Sequence, residues 1–406
     1  MAGHSGEEGI RDPGKEARAR IGIPVVPAFD GYRAFAILAV VMLHVTTISG
    51  VAAVGDTGVV ARLVWGSLGH AVEILFLVSG FVVFLPTVAR GGSFGDLPSF
   101  AIRRLARLFP AYWMVLLLTV ILIAILHPAF SKVPGPDDLL VNFTGSMVPV
   151  GFFVRDIPVG FGLNQPLWTL SVELGFYIVL PLIAGAFFRR PWLGLAISAA
   201  ITIAWTIAFD HVGELTDLLG IPTDFDELIH LRLTSAVQLP AWAYSFGLGM
   251  AGAWAWVRLA ERGVPRAWVR RTVLASGLAL LALVWVLGGF YDQTRESLLL
   301  SVLFSSVLAV FMVSLTFAPA RWQVPVAAAP VRRLGDISYG IYLSHMVIAV
   351  TLSSETSLPK DGNLKSLLVW IAAVVPAAAL YGYLSARFLE QPIRRWARRY
   401  GRRDEA

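Results

Sequence analysis

Long apolar runs dominate the chain, each close to the roughly 20 residues an α-helix needs to cross the hydrocarbon layer of a bilayer. Short charged or Pro/Gly-marked turns separate them. Ten such runs fall near 34–50, 68–88, 109–127, 166–187, 192–209, 237–257, 272–289, 297–318, 336–353 and 366–387. The pattern predicts an all-α membrane protein, a polytopic bundle of about ten transmembrane helices. Composition agrees: of 406 residues, 56% are hydrophobic and only 15% charged, too apolar for an ordinary soluble domain.

A net charge of +6 suits nucleic acid or another anionic partner, but the placement of the basic residues gives a more specific reading. Arginines gather in alternate connections: Arg90, Arg103, Arg104 and Arg107 between runs two and three, Arg189 and Arg190 between four and five, Arg258 to Arg271 between six and seven, and Arg394 to Arg403 after run ten. The intervening connections lean acidic, most clearly Asp210, Glu214, Asp217, Asp224, Asp226 and Glu227. Cytoplasmic loops hold the Lys/Arg excess, so both termini are expected in the cytoplasm with an even number of spans. The partner implied is a lipid bilayer, with no nucleic acid. Residues 1–27, charged and without the apolar core of a cleavable signal peptide, are expected to be a disordered cytoplasmic tail. Residues 28–393 form one membrane domain, and 394–406 a basic cytoplasmic tail. The longest outer connection, 128–165, has the length of a lid or binding segment, or of a solvated linker.

The chain has no cysteine, which removes disulfides, a thiolate nucleophile and any acyl-cysteine intermediate. Candidate chemistry therefore rests on polar groups inside the apolar runs. Arg33 and His44 are eleven residues apart, which at 100° per residue returns them to nearly the same helix face about 16 Å apart along the axis. Arg33 then lies at the cytoplasmic rim and His44 deep in the bilayer. A neutral imidazole there can take a hydroxyl proton, or can simply hydrogen-bond a neighbouring helix. Glu73 lies near the outer end of its span, and Ser79-Gly80 reads as a polar contact or as close helix packing. Arg104 and Arg107, three residues apart, offer guanidinium forks of the kind that suit phosphate oxygens, where simple topogenic charge accounts for one or two such arginines. Glu173 and Tyr177 share a face at four-residue spacing beneath Trp168 and Ser171, so the phenol is within reach of the carboxylate. Ser338, Tyr342 and His345 form a polar stripe that must look into the protein. Gly91-Gly92-Ser93-Phe94-Gly95 matches a serine-hydrolase pentapeptide without its strand-turn-helix context. No metal-spaced His/Glu set or glycine-rich phosphate loop occurs, and no metal is expected.

In order, these segments resemble the acyltransferase-3 family of bacterial integral membrane O-acyltransferases. The resemblance rests on Arg33 with His44, Glu73 through Ser79-Gly80-Phe81, and Arg104 and Arg107 before Phe109-Pro110. It continues with Leu167-Trp168-Thr169-Leu170-Ser171-Val172-Glu173, Ser338-Tyr339 through His345, and Leu389-Glu390-Gln391-Pro392. It implies acyl-CoA, with acetyl-CoA as the natural short-chain case, as donor rather than resident cofactor. It also implies a hydroxyl of a saccharide, glycolipid or glycosylated natural product as acceptor, and matches His44 and the arginines to the family's essential residues. Many members carry a second glutamate and a glutamine after the position of Glu173, where this chain has Leu174 and Gly175, so only Glu173 inherits a role. Members fused to an esterase-like domain run well beyond residue 406, so a second transfer step outside the membrane is expected to need another protein.

These readings combine into one expected mechanism. Donor phosphates dock on Arg33, Arg104 and Arg107, and His44 acts as general base or acyl relay. Glu173 orients or charge-balances the imidazole, while Glu73, Ser79, Trp168, Ser171, Tyr177, Tyr342 and His345 meet substrate. The rival reading is a proton-coupled transporter or flippase with His44, Glu73, Glu173 and His345 as a relay, which gives no reason for Arg104 and Arg107.

Overall fold

The computed structural model describes residues 26–51, 64, 66–126, 133–154, 157–288 and 298–401. In chain order the helices are α1 (Ala28–Ile48), α2 (Ala71–Ala89), α3 (Leu97–Leu126), the short α4 (Pro136–Thr144) and α5 (Met147–Phe153), α6 (Trp168–Arg189) and α7 (Pro191–Asp210). There follow the short α8 (Val212–Leu218) and α9 (Phe225–Ala236), then α10 (Leu239–Arg262), α11 (Arg266–Gly288), α12 (Leu298–Leu315) and the short α13 (Ala320–Ala327). Last come α14 (Ala329–Glu355), α15 (Leu364–Ser385), a single π turn (Ala386–Glu390) and α16 (Gln391–Ala397). No strand occurs among the described residues.

Among the described residues nine helices are long and apolar enough to cross a membrane. The run expected near 237–257 is α10, whose 24 residues extend about 36 Å but which falls outside the nine. Its composition explains this. α10 packs into the bundle against α2 through small residues rather than apolar bulk: a Cβ on Gly80 would lie 2.3 Å from the Phe246 carbonyl oxygen, and one on Gly249 2.2 Å from that of Leu77. Backbone contact of this kind is a main source of helix association where lipid tails are as apolar as leucine. α7 is the opposite case, turning Trp192, Leu193, Ile197 and Ile201 outward.

The helices run past the apolar runs at their charged ends. α3 begins twelve residues before the run at 109–127, so Arg103, Arg104 and Arg107 ride on its first three turns. Hydropathy marks where a helix is apolar, whereas hydrogen bonding carries it on into the interface. Within the 128–165 connection, 128–132 and 155–156 lie outside the described residues, and the remainder is built rather than open. Asn142, fully buried, donates through Nδ2 to the Asp138 and Pro158 carbonyls (2.9 and 3.0 Å) and accepts at Oδ1 from the Gly160 amide (2.8 Å). These bonds hold Gly160 and the buried Phe161 in the left-handed region, φ 54° and 57°, a strained conformation for phenylalanine that surrounding contacts must enforce. Residues 1–25 of the expected amino-terminal tail lie outside the described residues. In the 394–406 segment the chain stays helical through Gly401, α16 lies against α3, and Arg394 pairs with the buried Glu390 carboxylate.

Candidate active site

Five helices converge on a cavity of about 70 Å³, room for several water-sized groups. α1 contributes Arg33 and Ile37, α2 Phe76 and Ser79, α3 Arg107, α6 Thr169 and Glu173, and α14 Tyr339 and Tyr342. Long-range bonds fix the frame. Tyr32 Oη on α1 donates to the Met312 carbonyl of α12 (2.9 Å), and Tyr339 Oη on α14 to the Leu108 carbonyl of α3 (2.9 Å). The Gly80 contact with α10 sets the neighbouring Ser79 at the cavity wall.

Glu173 is the polar hub. Its Oε1 accepts from Ser79 Oγ (3.0 Å) and from Tyr177 Oη. Charge balances around it: Arg33 feels Arg107, Asp30, Glu173 and Arg394, and Arg107 feels Glu173, Asp30 and the phenols of Tyr177 and Tyr339. Neither Arg33 nor Arg107 makes a hydrogen bond or an ion pair within 4 Å among the described residues, although both line the cavity. Arg104 departs from its expected partnership with Arg107. Its guanidinium carbon sits 5.5 Å from the Phe100 ring centroid and 5.6 Å from that of Tyr177, a cation–π position behind the cavity wall.

His44 lies two turns beyond Ile37 on the same face of α1, outside the cavity lining. Its ring neighbour is His345 of α14, with Nδ1 of His44 3.3 Å from Nε2 of His345. Here the expected pairing is corrected: Glu173 is committed to Ser79 and Tyr177, and the group beside the His44 imidazole is another imidazole. Several expected substrate contacts are also engaged by protein. His345, fully buried, directs Nδ1 at the Tyr342 carbonyl (2.6 Å) and Nε2 at His44, which leaves no ring nitrogen for an acceptor. Ser171 donates to the Gly145 carbonyl, tying α6 to the α4–α5 turn. Glu73 is paired with His70 (2.8 Å) at the start of α2, away from the cavity, because a three-residue step brings the two side chains together. Trp168 meets Phe76 edge-on and Trp242 at a tilt, with ring centroids 6.0 and 5.6 Å apart. Tyr342 does line the cavity, but its hydroxyl is shared with Thr169 Oγ1 (2.6 Å) and the Pro166 carbonyl. Ser338 bonds within its own helix, to the Gly335 carbonyl (2.8 Å).

Thr169, Tyr339 and the Glu390–Arg394 pair received no role from the sequence pattern. Arg394 reaches Arg107 and Tyr339 electrostatically. The readable signal was the four-residue step from Glu390 to Arg394 after a quoted motif, which a topogenic reading of basic tails hides.

The acyltransferase-3 family model, described as an acyltransferase domain, matches residues 26–385. The chain belongs to the acyltransferase-3 family. Among curated relatives, the chain is similar to the peptidoglycan O-acetyltransferase OatA of Listeria monocytogenes, 27% identical over 390 residues covering 91% of this chain and 56% of the relative. YrhL of Bacillus subtilis, named as a candidate peptidoglycan O-acetyltransferase, is 25% identical over 381 residues, covering 91% of this chain and 55% of its own length. The chain thus spans little more than half the length of these curated relatives. No solved structure gives a significant match.

Proposed function

We propose that this chain is a membrane O-acyltransferase of the bacterial inner membrane that moves a short acyl group, acetyl above all, from acyl-CoA to a saccharide hydroxyl. Peptidoglycan is the favoured acceptor, since that is what the relatives' names state. The observation that carries the reading is the pair of cavity-lining arginines, Arg33 and Arg107, which make no direct hydrogen bond among the described residues beside the Glu173 hub. Glu173 and Asp30 act on both arginines through charge alone, without a direct hydrogen bond, and the phosphates of CoA supply the bidentate acceptors the two guanidiniums lack. Arg394 and Arg104 add positive potential from behind.

The thioester arm then runs from this rim along the α1 face toward His44. His44 removes the acceptor proton as the hydroxyl oxygen attacks the thioester carbonyl; the carbon–sulfur bond breaks, and the imidazolium returns the proton to the departing thiolate. The alternative order, transfer to the imidazole first and to the hydroxyl second, uses the same groups. Glu173 holds the charge balance of the donor end. Both termini sit in the cytoplasm, with the α8–α9 segment outside.

Purified protein in bilayer nanodiscs, given radiolabelled acetyl-CoA and a muropeptide or oligosaccharide acceptor, should release CoA and label the acceptor hydroxyl. Substrate flux in liposomes with no CoA release would instead identify a transporter and remove the enzymatic reading.

A further inference from the structure

The buried imidazole of His345 has no place in the transfer chemistry above, yet its geometry is fully determined. Carbonyl oxygens only accept hydrogen bonds, and a neutral imidazole carries one N–H. Nδ1 of His345 faces the Tyr342 carbonyl at 2.6 Å, so the proton is on Nδ1 and Nε2 holds a lone pair. Nδ1 of His44 faces the Val40 carbonyl at 2.8 Å, so it too carries its proton on Nδ1. The 3.3 Å contact between them then has one consistent reading, a His44 Nδ1–H shared between the Val40 carbonyl and His345 Nε2. The rings are tilted by 53° with centroids 5.2 Å apart, which excludes face-to-face stacking as the source of the approach.

We infer that His345 is a positioning residue: a neutral hydrogen-bond acceptor that holds the His44 ring and keeps its Nε2 unprotonated, and so able to take a proton. The inference rests on the proposed role of His44 as base. When Nε2 takes a proton, the Nδ1–H bond to His345 becomes charge-assisted and steadies the imidazolium. In a triad an aspartate does this with a full negative charge; inside a bilayer an imidazole does it without burying a carboxylate. The Val40 carbonyl alone, four residues back on the same helix, favours the same tautomer but leaves the ring held from only one helix. His345 anchors it from α14.

The test uses the full chain in nanodiscs with ¹⁵N-labelled histidine. In the wild type, the His44 and His345 Nδ1 resonances should be of the protonated type. His345 Nε2 should be unprotonated, with a scalar coupling across the N–H···N bond. A protonated His345 Nε2, or no coupling, overturns the inference whatever the enzyme's activity. Kinetically, His345→Leu removes the acceptor and should lower kcat by about tenfold to a hundredfold, the scale of one hydrogen bond to a charged group, with the acetyl-CoA KM unchanged. His345→Gln, whose amide oxygen reaches the former Nε2 position, should recover part of kcat. Equal losses in Leu and Gln variants that fold alike would also overturn it. Near-normal turnover of His44→Gln would instead remove the base reading while leaving the spectroscopic pair intact, so the two failures are distinguishable.

Discussion

The arginine cavity and the imidazole pair share helices α1 and α14, with Arg33 and His44 about three turns apart along α1, and they accommodate buried polarity in opposite ways. At the cavity, full charges gather around one carboxylate, and Arg33 and Arg107 remain without hydrogen-bond partners. At the pair, every resolved contact is neutral and backbone carbonyls occupy both Nδ1 positions. Guanidiniums with no direct hydrogen bond suit the oxygens of an anion, while a neutral pair with one free ring nitrogen offers a base. On the proposed reading donor binding belongs to one region and proton transfer to the other, so variants should separate affinity from turnover.

The largest effect is expected at the neutral end. His44→Gln keeps a hydrogen-bonding group of similar reach but cannot cycle a proton, and should cost at least about a hundredfold in turnover, with acetyl-CoA binding by calorimetry unaltered. If affinity and turnover fell together, the two regions would be one site. Next is Arg107→Ala, which removes a charge-assisted contact of about 1.5–3 kcal/mol. It should raise the donor KM about tenfold or more while leaving kcat within a few-fold. Arg107→Lys should recover only part, because a point charge lacks the guanidinium fork. Arg104→Ala should have a visibly smaller effect than Arg107→Ala, since Arg104 lies against Phe100 and Tyr177 rather than in the cavity.

The ranking of Arg104 below Arg107 marks where sequence patterning stops being informative. Helical spacing put both arginines near one face, but a three-residue step leaves about 60° between them, enough for one to enter the cavity and the other to stack on a ring. The helices themselves were legible because apolar length is a local property; α10 was legible as a run although its small-residue interior keeps it out of the most apolar class. The Glu173–Tyr177 bond was legible because it lies within one helix. The His44–His345 contact, 301 residues apart in sequence, and the Ser79–Glu173 bond between α2 and α6 depend on how helices pack, and no spacing rule encodes that. The Asn142 ties were hidden for the same reason: a polar residue in a Pro/Gly-rich connection looks solvated until Gly160 and Pro158 are folded back onto it.

Glu173→Gln sharpens the comparison from the other side. The amide oxygen still accepts from Ser79 and Tyr177, so the local geometry survives while the negative charge facing Arg33 and Arg107 is lost. CoA, an anion, should then bind about twofold to fivefold more tightly at low ionic strength, an advantage that fades as salt screens the field. Weaker CoA binding would mean that the carboxylate contacts the donor or positions it directly.

The smallest effect is expected from Ser79→Ala. The hydroxyl shares Glu173 Oε1 with the Tyr177 phenol, so its loss leaves the carboxylate with one protein donor and with access to water in the cavity. Alanine is a strong helix former and adds no bulk beside Gly80, so the α2–α10 backbone contact should persist and protein level should not change. With fold, charge and one hydrogen bond retained, donor affinity should fall by no more than about threefold, below the usual scale for a charged-group bond because a partner remains. Tyr177→Phe sets the reference: it also removes one of the two donors, but it alters the ring that Arg104 stacks upon and should therefore cost more. A loss above tenfold in turnover for Ser79→Ala, with CoA affinity intact, would show the hydroxyl touching the acyl group or the acceptor, and would move the reacting carbon from the His44 side of the bundle into the cavity itself.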